Sequence, residues 1–117
     1  MIYQISSDNM SLTESMKVLA QEKISKLERF FKDFPEDTIT ARVVLNAGSA
    51  NDTYEVKLEL NANGKVYFTQ EVDYSLESSL VKVVDETERQ LEKDRSENTK
   101  GWEKIREMKA PAEELEE

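Results

Sequence analysis

With 117 residues and a formal net charge of −9, the chain fits one domain able to bury its own core. It has no Cys and no His, which removes disulfides, thiolate chemistry, imidazole metal ligands and every Ser/His or Cys/His nucleophile. Its net acidity argues against indiscriminate coating of nucleic acid, because phosphate binding runs on Lys and Arg.

Carboxylates are plentiful but spread over helix faces and turns without the spacing of a Ca²⁺ loop. The reading is therefore a protein that is not an enzyme, with no cofactor, no metal and no small-molecule substrate. No apolar run is long enough to span a bilayer, and MIYQISSDN lacks the pattern of a signal peptide. No membrane partner and a cytoplasmic location are expected. Residues 96–117 carry seven acids and four bases, so residues 1–95 are themselves acidic, and any nucleic-acid reading has to name a local basic surface.

Ile2 to Ser6 reads as a first strand with Tyr3 and Ile5 toward the core. Leu12 to Phe34 is predicted as one long helix, capped by Ser11 or Thr13, with Glu14 three residues after Ser11 in the capping-box arrangement. Its buried set is Leu12, Met16, Leu19, Ala20, Ile24, Leu27, Phe31 and Phe34, and Pro35 stops it. Lys23 interrupts that apolar stripe, four residues after Leu19, and Lys26 and Arg29 follow at three-residue steps. Burying an unpaired ammonium is costly, so this flank must meet water, a carboxylate or an anionic ligand. A lysine stem snorkelling over the core edge accounts for it equally well.

Three alternating strands follow. Ile39, Ala41, Val43 and Leu45 share a face of the first, and Tyr54, Val56, Leu58 and Leu60 a face of the second. Val66, Phe68 and Val72 mark the third. Asn63-Gly64 signals a tight hairpin between the last two, and AGSAND around Gly48 a looser turn before them.

Ser75 to Arg95 is predicted as the second helix, with Ser75 as cap. Leu76, Leu80, Val83, Val84, Thr87 and Leu91 form its buried face. Lys82, Glu86, Arg89 and Lys93 form another stripe, mostly basic. A solvated face laced with spaced Glu–Lys/Arg pairs explains that stripe on residue chemistry alone; phosphate binding is the other reading. The fold class is α+β in the order β-α-β-β-β-α, a four-stranded sheet with both helices packed on one face. Residues 1–95 form the domain. Residues 96–117 read as an acidic, largely flexible tail, in which Trp102, Ile105 and Met108 keep helical spacing.

LTESMKVLAQEKISKLERFF and VVDETERQLEK, set in that order of elements, resemble the ribosome hibernation-promoting factor family. This family includes the ribosome-associated inhibitor protein Y, and its members were once called sigma-54 modulation proteins. The run from Lys23 to Phe31 and the run from Glu88 to Leu91 carry most of the resemblance, which covers roughly residues 1–95. It implies a double-stranded-RNA-binding-like fold. It also implies a monomer that binds rRNA, with or without ribosomal proteins, in the mRNA/tRNA channel of the small ribosomal subunit, blocking tRNA and mRNA and storing ribosomes inactive. The rRNA-binding residues would be Lys23, Lys26, Arg29, Lys82, Arg89, Lys93 and Arg95, the two groups flanking one groove. Glu86, Glu92 and Asp94 stand where the family is often basic or neutral, which implies weaker phosphate binding. In outline the chain is similar to the short form of the family, without a second, dimer-forming domain. The alternative from a different class is a protein-binding, non-ribosomal regulator on the same fold.

Overall fold

The computed structural model describes the backbone of residues 1–109 and the side chains of residues 1–95. Strand β1 (Ile2–Ser6) is followed by α1 (Glu14–Ile24) and a 3-10 segment (Ser25–Phe31). Strands β2 (Ile39–Ala47), β3 (Tyr54–Ala62) and β4 (Lys65–Asp73) come next, and α2 (Leu76–Lys109) closes the order. The sheet runs β1-β2-β3-β4, with β1 parallel to β2 and the other neighbours antiparallel. This is the predicted β-α-β-β-β-α order, with α1 and α2 on one face.

The core lies between that face and the helices. Val43, Leu45, Val56, Leu58 and Leu60 from the sheet meet Ala20, Ile24 and Leu27 from the first helical arm. From α2 come Leu76, Leu80, Val83, Val84, Thr87 and Leu91, all buried as their spacing predicts. Thr87 keeps its hydroxyl satisfied by donating to the Val83 carbonyl at 2.7 Å and meeting the buried Thr69 hydroxyl at 2.6 Å. Ser75 caps α2 through its Oγ, which accepts from the Ser78 N–H at 3.0 Å. The helix then runs past Arg95 to Lys109. The expectation of a flexible acidic tail, Trp102 included, falls outside the described side chains.

The predicted long helix is two pieces. Thr13, not Ser11, caps α1: its Oγ1 accepts from the Met16 N–H, and Met16 Sδ accepts in return from the Thr13 N–H. At the other end the Ser25 hydroxyl donates to the Glu22 carbonyl at 2.7 Å. A serine bonding back to the preceding turn perturbs the helix there, and from Ser25 the chain tightens to 3-10 geometry. Phe34, expected in the core, lies in the turn beyond and is exposed.

Strand β4 turns outward the three apolar residues that mark it in the sequence. Val66, Phe68 and Val72 are exposed on the open side of the sheet, while Tyr67 and Thr69 face the helices. The hairpin decides this. Asn63 and Gly64 both take positive φ, the two-residue turn that matches strand twist, and so Ala62 pairs with Lys65. Counting back, the buried Leu60 and Leu58 pair with Tyr67 and Thr69. Directly paired residues share a face, so the apolar side chains at 66, 68 and 72 turn outward.

Candidate nucleic-acid interface

Lys23, Lys26, Arg29 and Lys32 recur at strict three-residue steps. In an α-helix such a row drifts by about 60° per step. In a 3-10 helix, residues i and i+3 eclipse. The change of geometry at Ser25 therefore straightens Lys26, Arg29 and Lys32 into one column, with Lys23 at its head on the last turn of α1. Lys32 was missed in the sequence because a continuous α-helix would have turned it about 120° from Lys26.

Lys23, Lys26 and Arg29 of that column lie beside the crevice between the first helical arm and α2, while Lys32 lines a separate cleft with Phe34 and Ile39. Lys23 is the costly charge on the apolar stripe, and the carboxylate of Glu77 meets its Nζ at 3.2 Å. Its side chain is only 19% exposed, so the stem does cover the core edge while the head finds an acid. Lys26 and Lys23 line a small cavity of about 120 Å³ with Val81, Val84, Asp85 and Glu88. Arg29 Nη2 donates to Glu88 Oε2 at 3.3 Å.

Helix α2 thus turns acids, not bases, toward the upper part of the crevice. Its rotation is set by the buried stripe. Glu77, Val81, Asp85 and Glu88 lie on one flank of that stripe, whereas Lys82 and Arg89 stand opposite the core and lean toward β4. Lys82 reaches Asp73 at 3.2 Å, and Arg89 donates to Glu86 at 3.0 Å. These two bases line a separate groove with Glu71 and Asp85. Lys93, exposed, lies four residues beyond Arg89 on the same side. The expectation that all seven bases flank one groove is therefore replaced by two surfaces: Lys23, Lys26 and Arg29 along the crevice, and Lys82, Arg89 and Lys93 on the outer side of α2. Arg95 is the base of α2 that joins the first set. Its guanidinium lies 5.3 Å from the centroid of the Phe30 ring, over which Arg29 also sits at 4.3 Å.

Two phenols brace the helical layer from the sheet. The Tyr3 hydroxyl donates to Glu28, and burial pushes its pKa up, helped by that carboxylate. Tyr67 donates to Asp94 at 2.7 Å; burial first, then the Asp94 bond, raise it to about 12. Lys65 and Tyr67 together hold Asp94 below the usual carboxylate range. Asp94, one of the acids that the resemblance singles out as weakening phosphate binding, is thus committed to the sheet. Among the described residues, no group of three or more His, Cys, Asp or Glu gathers as a metal site, and no helix is long and apolar enough to cross a membrane.

The family model described as sigma 54 modulation protein / S30EA ribosomal protein matches residues 3–98. The chain belongs to this family. It is 33% identical over 94 residues to the ribosome hibernation promotion factor of Deinococcus radiodurans, covering 79% of this chain and 48% of that protein. The chain therefore spans about half the length of that curated relative. Two solved structures share the fold. The N-terminal domain of Thermus thermophilus protein Y superposes with a TM-score of 0.67 at 23% identity, covering 79% of this chain and 96% of that one. A ribosomal subunit interface protein from Coxiella burnetii gives 0.66 at 14% identity, covering 82% and 99%. For an S30EA-family chain of net charge −9, the informative feature is how the charges pair: Glu77 and Glu88 of α2 meet Lys23 and Arg29 of the first arm, and Lys26 and Lys32 are the exposed bases that extend this row.

Proposed function

We propose that this chain is a non-enzymatic ribosome-associated inhibitor that acts as a monomer. It docks in the mRNA/tRNA channel of the small ribosomal subunit, excludes mRNA and tRNA, and holds ribosomes inactive. One observation carries the reading: the edge of Lys26, Arg29 and Lys32, straightened by the 3-10 segment, in a chain of this family. Cations in a row along a convex helical edge contact phosphates of a folded RNA by shape and backbone, with little reading of bases. The bases of α2 at Lys82, Arg89 and Lys93 form a second contact strip at a different angle.

The test is co-sedimentation with purified small subunits over a salt series. Lys26→Glu with Arg29→Glu is expected to abolish binding while leaving the fold intact. Lys23 is kept, because its reversal would set two carboxylates against each other beside the core. The matched control is Arg42→Glu with Lys57→Glu on the open sheet face, where Glu59 and Glu55 already neutralise the field; it is expected to bind nearly as wild type. Equal losses in both pairs would mean that only total charge matters. Full binding by the helical pair would sink the reading and favour a non-ribosomal protein partner, for which the exposed Val66, Phe68 and Val72 supply an apolar surface.

A further inference from the structure

Strand β4 forms one edge of the sheet and, among the described residues, pairs only with β3. The two-residue turn at Asn63-Gly64 makes Ala62 and Lys65 a pair that exchanges both backbone bonds. The pattern alternates from there, so Val66, Phe68, Gln70 and Val72 aim their N–H and C=O groups away from β3. Gln90 of α2 marks that direction at one of them, its amide donating to the Phe68 carbonyl at 3.4 Å. Natural sheets blunt such an edge with a short strand, a lysine or a proline. The opposite edge, β1, is five residues long. β4 has nine, with neither Lys nor Pro between Val66 and Val72, and these two valines and Phe68 stand exposed.

The strand is also complementary to itself. Read outward from Thr69, KVYFTQEVD places Val66 and Val72, and then Lys65 and Asp73, at equal distances from the centre. Two copies laid antiparallel about an axis at Thr69 therefore set valine against valine and opposite charges at the ends. Each outward N–H and C=O finds a partner, because residue 66 pairs with 72 of the second copy and 68 with 70. The two Phe68 rings become diagonal neighbours on the open face. The helical side follows the same symmetry. Lys65 is held by Asp94 and Asp73 by Lys82, so each end of the paired strands joins four charges of alternating sign. Thr87 meets Thr69, which puts residue 87 of each α2 nearest the axis and sets Glu86 beside Arg89 of the second copy.

We propose that two copies of the free protein pair antiparallel through β4, about a two-fold axis at Thr69, into one continuous sheet. Such an interface is the same patch on both chains, so it closes at two. The monomer that docks on small subunits is then the dissociated form, since pairing turns Lys82 and Arg89 toward the second copy.

Sedimentation equilibrium of the full chain, run from micromolar to millimolar concentration, tests this. A reversible rise from the mass of one chain toward that of two is expected. Gln70→Pro removes an outward N–H without touching the bonds to β3 and should weaken the dimer roughly tenfold. Phe68→Lys sets two ammonium groups beside the axis and should weaken it as much; thermal melts show that each variant keeps the fold. The register has its own test, because the chain has no Cys. Val66→Cys mixed with Val72→Cys should cross-link under mild oxidation, the paired Cα atoms standing about 5.5 Å apart, and much faster than either variant alone. A chain that stays monomeric throughout, a dimer indifferent to both edge variants, or Val66→Cys cross-linking fastest with itself overturns the proposal. Co-sedimentation of Lys26→Glu/Arg29→Glu with small subunits is a separate measurement, so failure of the dimer leaves the docking reading standing.

Discussion

Lys23 and Glu77 meet at 3.2 Å across the two helices, so the residue that breaks the apolar stripe of α1 is answered by an acid of α2. Glu88 answers Arg29 in the same way about three turns further along α2. Each pair joins a base of the proposed RNA-binding edge to a carboxylate of α2, and under that proposal phosphate competes with the carboxylate for the base. Glu77→Gln with Glu88→Gln is therefore expected to tighten binding to small subunits severalfold at low salt, with the gain shrinking as salt screens the released bases. Salt-series sedimentation measures it. A weaker complex would mean that the carboxylates orient the bases and do not compete for them.

The hydroxyl pair of Thr69 and Thr87 is a buried polar contact between α2 and the sheet. Both residues are buried, and Thr87 also bonds to Val83. Thr87→Val leaves the Thr69 hydroxyl short of its partner in a buried place and is expected to cost about 1–3 kcal/mol. Changing both to Val removes the orphan, so the double variant should be less destabilised than the sum of the singles. Urea melts of the four proteins measure the coupling, and strict additivity would show that the two hydroxyls act separately.

Much of this architecture is legible in the residues. The face of α2 is a clean 3.6-residue stripe with no competing signal, and every member named from it is buried. Where the sequence misleads, a short contact overrides periodicity. Nothing in the apolar spacing of residues 12–34 marks Ser25 as the point where a side-chain bond to Glu22 changes the helix type, and with it the phase of Lys32. In β4, alternation shows two faces without saying which one is buried. The hairpin holds that information, since a two-residue Asn63-Gly64 turn places Leu60 beside Tyr67. The acids that flank the crevice were hidden for another reason. The handedness of the pairing between two helices depends on how α2 rotates over the sheet, and neither stripe alone specifies it.

Asp94, Tyr67 and Lys65 link the lower part of α2 to β4, and they set a pH dependence with two limbs. Lys65 and Tyr67 hold the Asp94 pKa below its ordinary value. The stability from that ionised carboxylate is present above the unfolded pKa of about 4 and is lost as pH falls through the lower, folded value. Tyr67 titrates near 12 instead of 10. Its contribution is full below pH 10 and is lost as pH rises toward 12. Asp94→Asn is expected to lower the thermal midpoint at pH 7, flatten the acid limb, and bring the phenol titration of Tyr67, followed by ultraviolet absorbance, down toward its ordinary value. A Tyr67 titration unmoved by the change would leave burial as its sole cause.

The two sides of the sheet give the sharpest contrast between burial and exposure. Leu80 of α2 is fully buried in the core, and its truncation to Ala removes packed methyl groups, a cost of about 2–5 kcal/mol. Phe68, a larger side chain, is 56% exposed on the open face. Because the hairpin register turns it outward, Phe68→Ser should cost less than about 1 kcal/mol, as surface changes do. Chemical denaturation of the two variants checks the register directly: a large loss at Phe68 would mean that β4 presents its even-numbered residues to the core. The same Phe68 variant also weighs the two functional readings. If RNA docking runs along the 3-10 column, on the helical side, Phe68→Ser should sediment with small subunits as wild type does. Loss of that association in a variant of undiminished stability would place a protein contact on the apolar strip of Val66, Phe68 and Val72, and move the primary docking surface from the helices to the sheet.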